Sequence, residues 1–227
     1  MSVSNATAVL RTRSLWLALS VLLLAACGHT PVTQTLFDAI PGLGNSLDTI
    51  DDSQLNPNLR YLRVVVRGRT ALMVLGYLEP HEEGAIETWY SAPGEYIRLQ
   101  NGRVVGTAGL ETDWRTVRHF SLPTWKDMTG RTAVVYRRER DEMPGYRFGI
   151  AENVSVYPVR VPNNAKLKRL PPEGLQWYEE AVLGAPNGLP SARFALSTQN
   201  AELRVIYGEQ CLSQTFCLAW QTWPATP

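Results

Sequence analysis

From residue 59 onward the apolar residues fall into short runs, and nearly every run is closed off by Gly, Pro, Asn, Asp or Ser. This rhythm constrains the fold more than any single motif. An amphipathic helix repeats its apolar residues at three and four positions over about ten residues or more, whereas runs of about four to eight between turn formers are what strands supply. Leu62, Val64 and Val66 alternate with Arg63, Val65 and Arg67, as in a strand with one face in a core. Segment 71–78 is almost wholly apolar and is expected to be a central strand covered on both faces. A strand at 86–91 follows. Segments 96–99 and 103–107 flank Gln100-Asn101-Gly102, and Asn-Gly between two such runs marks a type I′ hairpin because both residues tolerate positive φ.

Further strands are expected at 116–120, 132–138, 146–151, 153–161, 192–197, 202–207 and 216–221. The charged stretch 139–145, ending in Pro144-Gly145, reads as a solvated hairpin tip. One helix is expected after Pro171-Pro172, with Leu175, Tyr178, Ala181 and Val182 on one face and Gly184 as its stop; a second short one is expected near 35–40. The fold class is therefore mainly β: an antiparallel β-sandwich or partly closed β-barrel with one or two short helices. The strands lack the long regular alternation and aromatic girdles of a membrane-spanning barrel.

The start of the chain has a different character. Arg11 and Arg13, with no acidic residue, precede an apolar run from 15 to 26 broken only by Ser20, the layout of a secretory signal. The run is shorter than the about 20 residues of a membrane-spanning helix. Leu24-Ala25-Ala26-Cys27 has the form of a lipobox. Residues 1–26 are accordingly expected to be a lipoprotein signal peptide, with the Cys27 thiol taking diacylglycerol and the freed amine a further acyl chain such as palmitate. At about 0.8 kcal/mol per buried methylene, two or more chains hold a protein in the membrane permanently. Gly28 stands where an aspartate resembles the inner-membrane retention signal, which points to the outer membrane with the domain facing the periplasm. Residues 27–58 form the expected lipid-anchored tether, and 59–227 the mainly β periplasmic domain.

Charge narrows the partners. Without Arg11 and Arg13 the 22 basic residues become 20 against 21 acidic ones, so the exported chain is close to neutral and carries no electrostatic footprint for nucleic acid. Besides Cys27 there are only Cys211 and Cys217, and such a pair in an oxidising compartment is expected to form a disulfide. Loop-entropy reasoning puts its contribution at about 2 to 2.5 kcal/mol.

No catalytic or metal-binding motif stands out. Glu79-Pro80-His81-Glu82-Glu83-Gly84 lacks the second histidine of a zinc helix and reads as a solvated turn, so neither metal nor cofactor is expected. His29 and His119 are scattered, and there is no Gly-x-Ser-x-Gly. A polysaccharide-modifying enzyme would instead bring together two of Glu95, Glu111, Asp113, Asp127 and Glu152, about 5 to 9.5 Å apart. Six tryptophans follow Cys27: Trp89, Trp114, Trp125, Trp177, Trp220 and Trp223. Such rings most often pack in cores, but sugars also stack on them. Trp114 is the leading candidate glycan platform, because Asp113, Arg115 and Arg118 beside it offer partners for hydroxyls or acidic sugars; Trp89 is the second.

The lipobox, Leu72-Met73-Val74-Leu75-Gly76-Tyr77, Thr88-Trp89-Tyr90-Ser91 and the series from Asn101-Gly102-Arg103 through Thr107-Ala108-Gly109-Leu110 to Asp113 together resemble the YjbF/GfcB family of capsule and exopolysaccharide lipoproteins. The resemblance implies a β-rich periplasmic lipoprotein working beside the outer-membrane machinery that exports a polysaccharide, with no catalytic residues to carry over. The expected function is a non-enzymatic accessory of capsule or exopolysaccharide secretion that binds polysaccharide or an export protein. Its rivals are the modifying enzyme and a purely structural envelope lipoprotein.

Overall fold

The computed structural model describes residues 55–184, 188–199 and 202–225, all within the unit Val32–Pro227. The signal segment, Cys27, most of the tether and the helix expected near 35–40 lie outside them. Twelve strands follow in chain order: β1 Tyr61–Val66, β2 Arg69–Glu79, β3 Ile86–Tyr90, β4 Tyr96–Gln100, β5 Arg103–Ala108, β6 Asp113–Phe120, β7 Val134–Met143, β8 Arg147–Val159, β9 Gln176–Val182, β10 Ala192–Gln199, β11 Glu202–Cys211 and β12 Cys217–Trp223. They form one antiparallel sheet in the order β5-β4-β3-β2-β1-β12-β11-β10-β9-β8-β7-β6. The first and last strands pair along their whole length, from Tyr61 opposite Trp223 to Val66 opposite Leu218. Every consecutive pair of strands is thus hydrogen-bonded except β5 and β6, the two edges of the sheet, which lie side by side. The sheet is a meander rolled nearly into a barrel.

Local chemistry sets the registers. Asn101 and Gly102 take φ of 49° and 79°, so Gln100 and Arg103 face each other across the type I′ turn. Cys211 and Cys217 are cross-strand partners at the β11–β12 hairpin and form the expected disulfide. Gly208 lies opposite Trp220, and a Cβ there would sit 2.7 Å from the indole; only glycine lets the ring lie against β11.

Inside the roll, Leu62, Val64, Met73, Trp89, Ile97, Leu99, Trp114, Phe216 and Trp220 form one apolar cluster, and Trp125, Tyr136, Val154, Val156, Tyr178 and Phe194 form another. The outside is not bare. Segment 160–175 runs over the outer face, packing Val161, Ala165 and Leu167 on Val65, Trp177, Ala195, Tyr207 and Ala219. Its backbone is tied down by Tyr207 Oη accepting from the Lys166 N–H (2.7 Å) and by a reciprocal pair between Lys168 and the Gln221 amide (2.9 and 2.8 Å). Strand β1, expected to have one face in a core, is therefore buried on both faces, Arg63 included.

Several expectations are corrected. Residues 176–182 are strand β9, not a helix, and the described residues contain a 3₁₀ turn at Pro172–Gly174 but no α-helix. The strand buries Tyr178 and Glu180 on one face and Trp177 on the other. Apolar residues on both faces of a strand mimic a helical period, and pairing with β8 and β10 decides the outcome. Residues 139–143 are not a solvated tip but the second half of β7, with Arg140 and Glu142 buried. The two strands expected at 146–161 are one, β8. Strand β2 is central, yet Tyr77 and Leu78 near its end are exposed rather than covered.

Candidate functional site

The series Thr107-x-Gly109-Leu110…Asp113 closes the turn between the two sheet edges. The Asp113 carboxylate accepts from Thr107 Oγ1 (2.9 Å), Gly109 N (3.0 Å) and Leu110 N (3.2 Å). Thr107 Oγ1 in turn accepts from Trp114 N (3.0 Å). Asp113 thus has its acceptor capacity engaged by the turn.

Trp114 is fully buried. Its Nε1 donates to Leu212 O (2.9 Å), and the guanidinium groups of Arg138 and Arg140 stand 4.9 and 5.0 Å from its ring centre. The ring singled out for glycan stacking offers no face to solvent. Its sequence neighbours Arg115 and Arg118 are exposed instead, on the wall of a cleft of about 350 Å³ shared with His81, Glu82, Arg98 and Gln100. The separation follows from an irregularity in β6: its register with β7 shifts between Trp114 and Thr116, so that Arg118, four residues on, falls on the other face, and the cations that reach Trp114 come from β7. Sequence adjacency was the wrong criterion.

Next to Trp114 the interior is ionic. Glu152 receives Arg138 at 2.6 Å and Arg140 at 3.0 Å, and Glu142 receives Arg140 and Arg147. Burial opposes the charged form of Glu152, but Arg138 and Arg140 outweigh it and hold its pKa below the ordinary value. Across the roll, Arg103 donates Nε to Glu180 (2.7 Å), while Tyr136 Oη donates to the same carboxylate (3.0 Å). His119 packs edge-on against Tyr136 at 5.7 Å; burial, then Arg103 and Arg138, push its pKa down to about 3. It is neutral at physiological pH.

A larger cavity, about 560 Å³, lies where the chain enters β1 and leaves β12. Its wall includes Tyr61, Trp89, Trp125, Trp220 and Trp223, and its polar lining includes Arg60, Glu87, Asn101, Glu202, Arg204 and Thr222. Arg60 binds Glu87 at 2.7 Å with its guanidinium 5.7 Å from the centre of the Trp89 ring. The indole N–H groups of Trp89 and Trp220 are buried with no hydrogen-bond partner among the described residues. Of the rings on this wall, the sequence had marked Trp89 for glycan contact. The other rings carried a weaker signal, Trp220-Gln-Thr-Trp223 near the last strand's end, whose meaning depends on the β1–β12 pairing.

The five carboxylates an enzyme would draw on do not converge. Glu95 binds Ser91, Glu111 binds Arg67 (2.6 Å), Asp127 accepts from Thr124 (2.7 Å), and Asp113 and Glu152 are engaged as above. Neither the cleft nor the larger cavity is lined by any of them. Among the described residues no group of three His, Cys, Asp or Glu is placed to hold a metal ion. No described helix is long and apolar enough to cross a membrane.

Comparison with known proteins adds a family. No curated protein matches the chain. A crystal structure of the hypothetical lipoprotein YmcC from Escherichia coli is similar in fold, with a TM-score of 0.53 and 13% identity over 75% of this chain and 86% of that one. The family model described as group 4 capsule polysaccharide lipoprotein, YjbF, matches residues 48–188, more than half the chain and including every strand from β1 to β9; the chain belongs to the YjbF family.

Proposed function

We propose that this protein is a non-enzymatic accessory of capsule or exopolysaccharide export. A lipid on Cys27 holds it in the outer membrane, and its rolled sheet works in the periplasm on the passing polymer or beside the protein that carries it. The observation that carries the reading is the family match over residues 48–188, to a family of capsule polysaccharide lipoproteins. Two features support it. The form of the lipobox at 24–27, followed by Gly28, fits outer-membrane anchoring, and the candidate carboxylates are each occupied by structural partners rather than paired across a cleft.

The test is recovery of the tagged, lipid-anchored protein from membranes cross-linked during polymer production. Co-recovery of polymer or of an outer-membrane export protein is the expected result. Recovery of neither, with shortened or chemically altered polymer in the medium, would replace this reading with the enzymatic one.

A further inference from the structure

Resting on the function proposed above, we infer that the tryptophan-walled cavity between the start of β1 and the end of β12 is a subsite for an uncharged sugar ring of the exported polymer. Four of the six tryptophans after Cys27 line it, with Tyr61. Its volume of about 560 Å³ falls in the range of about 300–1,000 Å³ typical of small-molecule sites.

Hydrogen bonding singles it out. Trp114, Trp125 and Trp177 donate their Nε1 protons to the carbonyls of Leu212, Asn101 and Pro172 (2.9, 2.9 and 3.0 Å). The two indoles without an acceptor, Trp89 and Trp220, both belong to this cavity's wall. Buried N–H groups are nearly always paired, so two orphans in one wall are exceptional; both are enclosed, the Trp220 one against Gly208, and an acceptor in the cavity meets them only once the rings shift. A sugar supplies what the wall lacks, since its hydroxyl oxygens accept N–H bonds, and its C–H face lies on aromatic rings; the four tryptophans, 1–6% exposed, present their faces to it after the same shift.

The lining also decides charge. Arg60 and Arg204 are balanced by Glu87 and Glu202, so the cavity favours neither anion nor cation. Arg60 and Glu87, already paired over Trp89, offer planar donors and a carboxylate to adjacent hydroxyls. The guanidinium covers the ring face that a sugar would take, so binding displaces it.

The test uses the full lipidated protein in nanodiscs, titrated with oligosaccharides released by mild acid from the producing strain's own polymer and separated into neutral and acidic fractions. Calorimetry and tryptophan fluorescence are read together. The neutral fraction is expected to bind and shift the emission; Trp89→Phe, which keeps the ring but removes the donor, and Glu87→Gln, which is a surface change, each weaken binding about tenfold. Trp114→Phe leaves it unchanged. Undiminished binding in both Trp89→Phe and Glu87→Gln overturns the subsite. So does binding confined to the acidic fraction and lost in Arg115→Ala, which would move the sugar to the arginine cleft and leave the accessory role standing. A wild-type protein that binds neither fraction yet still cross-links to an export protein likewise overturns the subsite alone; failure in both assays overturns the accessory role as well.

Discussion

Where β1, β2, β3 and β12 face the interior they present Leu62, Val64, Met73, Trp89 and Trp220, while β7 and β8 turn Arg138, Arg140, Glu142 and Glu152 toward the same roll. The first region is held by packing and the second by charge. Space differs as well. Beside the ion pairs, between Trp114, Arg138 and Glu180, the cavity amounts to about 10 Å³, whereas the apolar region opens into about 560 Å³ at its end. The sheet closes tightly around the ion pairs and stays open where the chain enters β1 and leaves β12. The comparison is in keeping with the inferred subsite at the apolar end and gives the ionic end the task of fixing how β6, β7 and β8 sit against Trp114. Arg103 links the two, with its Nε on Glu180 and its guanidinium 3.9 Å from the centre of the Trp125 ring.

The comparison breaks if its two halves respond alike to substitution. Glu152→Ala takes the carboxylate from buried Arg138 and one of two from buried Arg140 and is expected to cost about 3–5 kcal/mol in chemical denaturation, whereas replacing Arg138, Arg140 and Glu152 together with apolar residues of similar volume recovers most of that loss. The same carboxylate gives a pH signature. Because its folded pKa is depressed, its contribution is complete above the ordinary glutamate range and is lost as pH falls through the lower folded value. On the apolar side, Leu62→Ala is expected to cost about 2–5 kcal/mol, with no such acid dependence. Opening the Cys211–Cys217 bridge by paired serine substitution is expected to cost about 2 to 2.5 kcal/mol and to lower the thermal midpoint without altering the sheet's far-ultraviolet signal.

At neutral pH the smallest effect is at His119. Its folded pKa of about 3 lies below the ordinary 6.5, so the unfolded chain takes up a proton that the folded one refuses. Stability is unaffected above pH 6.5 and falls as pH drops below it, and His119→Gln is expected to flatten the pH 4–6.5 part of the stability profile. An unchanged profile would show that neither burial nor the arginines beside it depress this imidazole.

Much of the sheet was legible because its determinants are local. Turn formers mark most strand ends, Asn101-Gly102 dictates one hairpin through its positive φ, and the spacing of Cys211 and Cys217 matches a cross-strand pair. What escaped depends on the far side of the fold. Arg140 and Glu142 look like a solvated tip until Glu152 and Trp114 are placed beside them. Trp177 and Tyr178 read as helical because their strand is covered on both faces, one of them by segment 160–175. The candidate site followed the same division. Tryptophan was the informative residue type, but a register shift in β6 leaves Trp114 inward with Arg115 and Arg118 exposed, and the cavity is assembled from rings more than a hundred residues apart in sequence, Trp89 and Trp220.

The account's central claim, an accessory that moves polymer without changing it, is tested most directly by measuring the amount, repeat composition and chain length of surface polysaccharide in a deletion strain, complemented with the wild-type gene or with Cys27→Ala. The account predicts less polymer at the surface, unchanged composition and length in what remains, and rescue by the wild type but not by Cys27→Ala. Altered composition or length, or a surface layer untouched by the deletion, would contradict it.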